Sequence, residues 1–139
     1  MTRAASSFAA LLIGVSLAGG AGCASTRALE GTHWKLVAWS LSSTPPGEFA
    51  IDANFEAGRI SGRSGVNQYS GPYTLGRGHE FLAGPFVGTR MAGPEPAMRA
   101  ESGYLSLLRE AKSYRFVDGR LKLFDTGGNQ ILSFERAGS

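Results

Sequence analysis

Cysteine is almost absent from this chain, because Cys23 is the only one among its 139 residues. A disulfide within the chain is therefore excluded, and packing must supply the stability of any folded domain. Histidine is scarce too: only His33 and His79 occur, and neither has a second histidine at the spacing of a helical zinc site. We expect no metal site and no cofactor.

Sequence signatures of catalysis are also missing. The chain contains no Gly-x-Ser-x-Gly elbow, no phosphate-binding loop and no spaced Cys/His cluster. Ser64 lies between Gly62 and Gly65, but no base is near it in the sequence, which favours a serine in a bend over a nucleophile. We therefore expect that the protein is not an enzyme.

The apolar stretch at residues 8–18 is too short to cross a membrane, since a spanning helix needs about 20 apolar residues. Arg3 precedes this stretch, and the small residues 19–22 follow it. A basic start, an apolar middle and a small-residue end are typical of an export signal. We predict that residues 1–22 are a signal peptide.

The sequence Ala21-Gly22-Cys23 resembles the end of the lipobox of bacterial lipoproteins, although Gly20 stands where a leucine is usual. The resemblance implies that Cys23 is lipidated, for example with palmitate, and begins a tether that ends at residue 30. Ala24 after the cysteine implies the outer membrane, on its periplasmic side. Two alternatives stay open: cleavage after Ala24 to give a soluble secreted or periplasmic protein, and burial of Cys23 in a retained segment.

Charge gives little support for a nucleic-acid partner. The 14 basic side chains exceed the 11 acidic ones by only three, and they are scattered. The densest basic stretch, residues 109–122, also contains Glu110 and Asp118, which favours a solvated face over a binding patch for anions. An exported protein also rarely meets nucleic acid.

Hydrophobic periodicity predicts an α+β fold. Apolar residues alternate with polar ones in eight segments and recur at helical spacing between residues 94 and 112. The eight segments are 33–41, 50–55, 59–64, 69–75, 79–87, 114–117, 121–124 and 131–135. Five strands, one helix and three strands predict a single domain at residues 31–136, with a curved antiparallel sheet of about eight strands and one helix packed on it.

Three polar residues are the candidates for a binding site: Asn67, Arg90 and Glu101. Asn67 follows the glycine-rich bend, where its side chain either ties down backbone donors or contacts a ligand. Arg90 precedes the predicted helix and Glu101 lies on it, so we expect an ion pair that holds the loop on the helix. The alternative is that Arg90 binds a ligand, since function concentrates on loops.

Four motifs in order resemble the META domain, the domain of the heat-inducible HslJ-like lipoproteins. Residues 31–36 are similar to its Gly-x-x-Trp-x-Leu opening, and residues 61–73 to its Ser-Gly-x-x-Gly-Cys-Asn-x-(aromatic)-x-Gly-x-Tyr signature. Residues 89–92 are similar to its Thr-x-Met-Ala-Cys element, and the helix and last strands fit its pattern. The resemblance covers residues 31–135.

The family often has cysteines where this chain has Val66 and Gly93. Their joint loss is expected if they normally pair with each other, because a single remaining thiol would be reactive. The resemblance therefore implies that Val66 and Gly93 lie close together, with Cα atoms no more than about 7 Å apart.

The resemblance also implies a non-enzymatic envelope lipoprotein with a binding or stress-tolerance role. It would be a monomer, anchored to the membrane through Cys23, with an unknown envelope protein or ligand as partner. Two alternatives remain. A carrier of lipids or small molecules would need an apolar pocket lined by Trp34, Phe55, Tyr73 and Phe86. An envelope hydrolase would need ionisable groups with perturbed pKa values in a cleft.

Overall fold

Nine β-strands and one α-helix follow each other along residues 27–138, the part of the chain that a computed structural model describes. The helix α1 is Glu95–Glu110, between the sixth and seventh strands. The strands are β1 Thr32–Trp39, β2 Asp52–Glu56, β3 Arg59–Arg63, β4 Gln68–Gly76, β5 Glu80–Ala83, β6 Val87–Gly88, β7 Ser113–Val117, β8 Arg120–Phe124 and β9 Gln130–Arg136. The predicted α+β class is confirmed.

The strands pair in the order β3-β2-β1-β9-β8-β7-β5-β4-β6, and every pair is antiparallel. Because β3 pairs with β4 as well as with β2, eight of the nine strands form a closed cycle of pairings. Strand β6 pairs only with β4 and lies outside this cycle. The weakest connection is between β5 and β7, which share one residue pair, Glu80 with Ser113.

The predicted strand at residues 79–87 is wrong as a single element. It is divided into β5, which pairs with the second half of β4, and β6, which pairs with Tyr69 and Ser70 in the first half. Gly84 has a φ of 103° and Pro85 has no backbone donor, so the chain cannot continue a regular ladder here. The described residues therefore form nine strands instead of the predicted eight.

In β2 the residues that alternation predicts to face inward are buried. These are Ile51 just before the strand, Ala53 and Phe55, each no more than 1% exposed. The helix contributes Tyr104, whose ring lies 5.5 Å from that of Tyr69 and 6.5 Å from that of Phe134. The predicted helix is confirmed, and its apolar face packs on the sheet.

The folded part begins before the predicted boundary at residue 31. Leu29 is fully buried in the core, and the Glu30 carboxylate accepts a hydrogen bond from the Gly58 amide at 3.1 Å. Burial of an apolar side chain is favourable, so Leu29 is more stable in the core than exposed to water in a tether. Cys23 and the predicted signal peptide lie outside the described residues. No helix within residues 27–138 is long and apolar enough to span a bilayer.

Candidate functional site

Asn67, Arg90 and Glu101 meet where the bend between β3 and β4, residues 64–67, contacts α1. Glu101 projects from the helix, and its carboxylate accepts four hydrogen bonds from the bend. Oε1 accepts from Ser64 Oγ at 2.8 Å, the Val66 amide at 3.1 Å and the Asn67 amide at 2.7 Å. Oε2 accepts from Asn67 Nδ2 at 2.8 Å. The helix is thereby joined to the bend through one side chain.

Glycine allows the bend to reach the helix so closely. Gly65 has a φ of 133°, and a Cβ added there would lie 3.0 Å from the Ala97 carbonyl oxygen and 3.3 Å from the Glu101 Cβ. A larger residue would therefore push the bend away from α1 and lengthen the hydrogen bonds to Glu101. The sequence predicted a glycine-rich bend before Asn67, and the bend is found.

Asn67 connects the same bend to the loop that follows β6. The residue is 4% exposed, and its Oδ1 accepts hydrogen bonds from Thr89 Oγ1 at 2.8 Å and from the Met91 amide at 2.6 Å. Its Nδ2 donates to the Met91 carbonyl at 3.2 Å as well as to Glu101. All donor and acceptor positions of the side chain are used inside the protein. Asn67 therefore ties down the backbone of the bend and loop instead of contacting a ligand.

The predicted ion pair between Arg90 and Glu101 is wrong. Both carboxylate oxygens of Glu101 face the bend, where four donors satisfy them. Within residues 27–138 Arg90 has no ion-pair partner, and the residue is exposed. The loop is held on the helix through Asn67 instead, a connection that sequence spacing cannot show because it depends on how the bend folds.

The electrostatics of Glu101 follow from this geometry. Burial by itself would raise its pKa, but the hydrogen bonds from Asn67, Ser64 and Val66 together lower the pKa below its usual value. Glu101 is therefore an anion near neutral pH. A carboxylate with a lowered pKa is a weak base, and the Ser64 beside it is only 1% exposed, which makes the pair poorly suited to nucleophilic catalysis.

A buried hydrogen bond joins the side chains of Tyr69 and Tyr104, and the sequence did not predict it. The hydroxyls of Tyr69 and Tyr104 are 2.6 Å apart, and Tyr69 donates its proton to the Asp52 carbonyl at 2.9 Å. Burial raises the pKa of both phenols, so both remain neutral. Alternation and helical spacing predicted that each side chain faces inward, but no sequence signal shows which hydroxyls meet.

Two open grooves adjoin β6. The larger, of about 560 Å³, runs along β2, β3 and β4 and is lined mainly by polar side chains, including Asp52, Ser61 and Arg63. The smaller, of about 260 Å³, borders the network and is lined by Arg90, Glu101 and other residues of the loop and helix. The structure thus brings all three candidates to one place, with Asn67 and Glu101 engaged and Arg90 exposed.

Three of the four residues named for a carrier pocket belong to the packed core. Trp34, Phe55 and Tyr73 are buried in the packed core, where the rings of Phe55 and Tyr73 are 4.8 Å apart. Phe86 is only partly buried and packs its ring edge-on against Tyr69. Within residues 27–138 no group of three or more His, Cys, Asp or Glu side chains is arranged to hold a metal ion.

Comparisons with known proteins agree with this fold. A family model of the META domain matches residues 27–138. An NMR structure of a protein from Burkholderia xenovorans has a TM-score of 0.65 at 24% identity, over 93% of this chain and 100% of that chain. A crystal structure of a DUF4847 family protein from Bacteroides vulgatus has a TM-score of 0.58 at 12% identity, over 81% and 97%.

A further NMR structure has a TM-score of 0.61 at 20% identity, over 78% of this chain and 92% of the other. At these identities the likeness concerns the fold alone. No curated protein matches the chain.

Proposed function

Because the chain belongs to the META domain family, we propose that it is an exported envelope lipoprotein whose folded domain binds a ligand or partner and catalyses no reaction. Its role is stress tolerance at the cell envelope, and it acts as a monomer on the periplasmic side of the outer membrane. Cys23 carries the lipid anchor, and residues 1–22 are removed as a signal peptide.

The observation that carries the binding role is the hydrogen-bond network around Glu101. Ser64, Asn67 and Glu101 are the polar groups that meet at this place, and each is hydrogen-bonded by its neighbours. Such a network stabilises one conformation of the bend and loop and leaves no reactive group free. The same network holds the loop that carries Arg90, which is exposed at the border of the smaller groove. An exposed cation at a groove supports binding of a ligand or partner over catalysis.

The proposed anchor is compatible with the position of the first core residue. Leu29 is buried, so only five residues, 24–28, separate a lipidated Cys23 from the first core residue. Fully extended, the six steps from Cys23 to Leu29 span roughly 20 Å. The domain would therefore stay next to the membrane surface and meet partners located there.

Metabolic labelling tests the anchor. Cells that express the chain are grown with labelled palmitate, and the protein is purified from the outer-membrane fraction. We expect label in the wild type and none in Cys23→Ala, which should move to the soluble fraction. Equal label in both, or none in either, would refute lipidation at Cys23.

Site-specific crosslinking in intact cells tests the binding role. A photoreactive residue at Arg90 reports on the groove, and one at Arg115 on β7 is the control on another exposed surface. We expect a discrete crosslinked species at position 90 that is absent at position 115. The same products at both positions would mean that Arg90 does not mark a binding site.

A further inference from the structure

We propose that the smaller groove beside the Glu101 network binds a small anion, a carboxylate carried on an apolar stem. The groove has a volume of about 260 Å³ and lies between β4, β6, the loop after β6 and α1. Two arginines line it from different elements, Arg90 from the loop and Arg109 from the last turn of the helix. This inference rests on the proposed binding role and specifies the class of ligand.

The backbone on both sides of Arg90 is fixed by the buried network. Asn67 Oδ1 accepts hydrogen bonds from the Thr89 hydroxyl and from the Met91 amide, the residues that flank Arg90. The Thr89 amide also donates to the Gln68 carbonyl at 3.0 Å. The loop is therefore ordered before a ligand arrives, which reduces the entropy lost on binding.

Arg109 lines the groove from the helix. Its guanidinium carbon lies 5.8 Å from the centre of the Phe86 ring, a cation–π contact that restricts where the side chain points. Neither Arg90 nor Arg109 has an ion-pair partner among residues 27–138. Two guanidinium groups without carboxylate partners on one half-enclosed groove favour an anionic ligand.

Glu101 also lines the groove, and its charge must be included. Four donors from the bend already stabilise that carboxylate, so the groove has two unpaired cations beside one anion that is hydrogen-bonded from within the protein. The guanidinium group presents its donors in a planar fork that fits a carboxylate. The net local charge therefore favours a single negative group.

The rest of the lining determines what carries that group. Phe86 and Leu105 are partly buried side chains that present apolar surface to the groove. At ~30 Å³ for each water displaced, the volume admits a ligand of roughly ten heavy atoms or fewer. A carboxylate with a short hydrocarbon stem fits both the charge and the apolar side.

Chemical-shift titration of the full chain with Cys23→Ser, which prevents lipidation, tests this inference. The probes are hexanoate, its neutral analogue hexanamide, and inorganic phosphate. We expect hexanoate to shift the amides of residues 87–91 and 105 in a saturable way below ~10 mM, and hexanamide to do so at least about tenfold more weakly. Arg90→Gln/Arg109→Gln should weaken hexanoate binding by about tenfold or more.

The control is Arg115→Gln/Arg120→Gln, which removes the same charge from β7 and β8 and should change the affinity less than twofold, about the effect of long-range charge alone. The inference is overturned if hexanoate gives no saturable shift, if both double variants lose affinity equally, or if phosphate binds as tightly as hexanoate. Crosslinking at position 90 in intact cells is independent of all three results, so the proposed binding role can stand when this inference fails.

Discussion

A Cβ atom placed on Gly93 would lie 3.4 Å from the Cβ of Val66. The two Cβ atoms of a disulfide are usually about 3.5–4.5 Å apart, so the bend and the loop present these positions at nearly that separation. Since a C–C bond of the backbone is about 1.5 Å long, the two Cα atoms lie within about 7 Å of each other. The proximity predicted from the family resemblance is confirmed, and in this chain the valine side chain fills the space.

Cysteines at these two positions should form a disulfide. In Val66→Cys/Gly93→Cys with Cys23→Ser, we expect complete crosslinking under mild oxidation and a gain in the free energy of unfolding of about 3 kcal/mol over the reduced form, because the bridge closes a loop of about 27 residues. Thiol titration and denaturant unfolding measure both. The control pairs Val66→Cys with Gly47→Cys, since a Cβ at Gly47 has no neighbour within 4 Å. A Val66–Gly93 variant that remains reduced would contradict the geometry.

Glu101→Gln should destabilise the protein. The amide would place an NH₂ group where the carboxylate now accepts from backbone and side-chain donors, so at least one donor of the bend loses its partner. We expect the free energy of unfolding to fall by about 2–3 kcal/mol. Glu95→Gln on the same helix removes an exposed pair with Arg99 and should cost less than about 0.5 kcal/mol. Equal effects of the two substitutions would show that the network adds nothing.

The same carboxylate should make stability depend on pH in the acid range. Hydrogen bonds from Asn67, Ser64 and Val66 outweigh burial and lower the pKa of Glu101 from 4.5. Its contribution is therefore fully present above that value and is lost as pH falls through the lower folded-state pKa. We expect the wild-type free energy of unfolding to decrease below about pH 4.5 and Glu101→Gln to flatten this decrease.

Some acid dependence should persist in Glu101→Gln, because hydrogen bonds from Asn129 also lower the pKa of Asp125. Urea unfolding between pH 3 and pH 7 measures the profiles. Identical slopes for wild type and Glu101→Gln would contradict the linkage.

Ser133 and Ser64 should respond in opposite directions to alanine. Both are 1% exposed, but the Ser133 hydroxyl has no hydrogen-bond partner among the described residues, whereas Ser64 Oγ donates to Glu101 and contacts the Asn67 carbonyl. An unsatisfied buried hydroxyl opposes folding, so Ser133→Ala should raise the free energy of unfolding by about 1 kcal/mol. Ser64→Ala should lower it by about 1–2 kcal/mol. Denaturant unfolding of both variants checks the signs, and a loss of stability in Ser133→Ala would count against the account.

The two buried tyrosines should not be equivalent. Tyr69 donates to the Asp52 carbonyl and accepts from Tyr104, so Tyr69→Phe leaves two buried groups without a partner. Tyr104→Phe removes only the hydroxyl that donates to Tyr69, and Tyr69 keeps its hydrogen bond to the Asp52 backbone carbonyl. We expect a loss of about 2 kcal/mol for the first and about 1 kcal/mol for the second in the free energy of unfolding. The reverse order in denaturant unfolding would mean that the hydroxyls are connected differently.

Local patterns predicted most of the fold because burial on one face imposes a period on the sequence. Ile51, Ala53 and Phe55 alternate with polar residues, and they are buried on one side of β2. The same reasoning failed at Gly84, where one residue of unusual φ divides a predicted strand. It also failed at Leu29, because a single apolar residue before a strand has no period that shows whether it is buried.

The candidate site was predicted in its members but not in its connections. Asn67, Arg90 and Glu101 were recognised as unusual polar residues, yet the partner of Glu101 proved to be the bend and not Arg90. Sequence spacing can place two residues on one helix face, but Glu101 and Asn67 are 34 positions apart and meet only because the bend folds onto the helix. Charge alone favoured the nearer arginine.

Apart from the division of one strand at Gly84, the sequence alone determined the order of strands and helix, most of their inward faces and the family, because each depends on residues a few positions apart or on motifs in order. Only the tertiary structure decided which polar groups pair, because burial favours donors that have an acceptor and the fold determines which acceptors lie within reach. In this protein that choice turned Asn67 and Glu101 inward and left Arg90 at the surface.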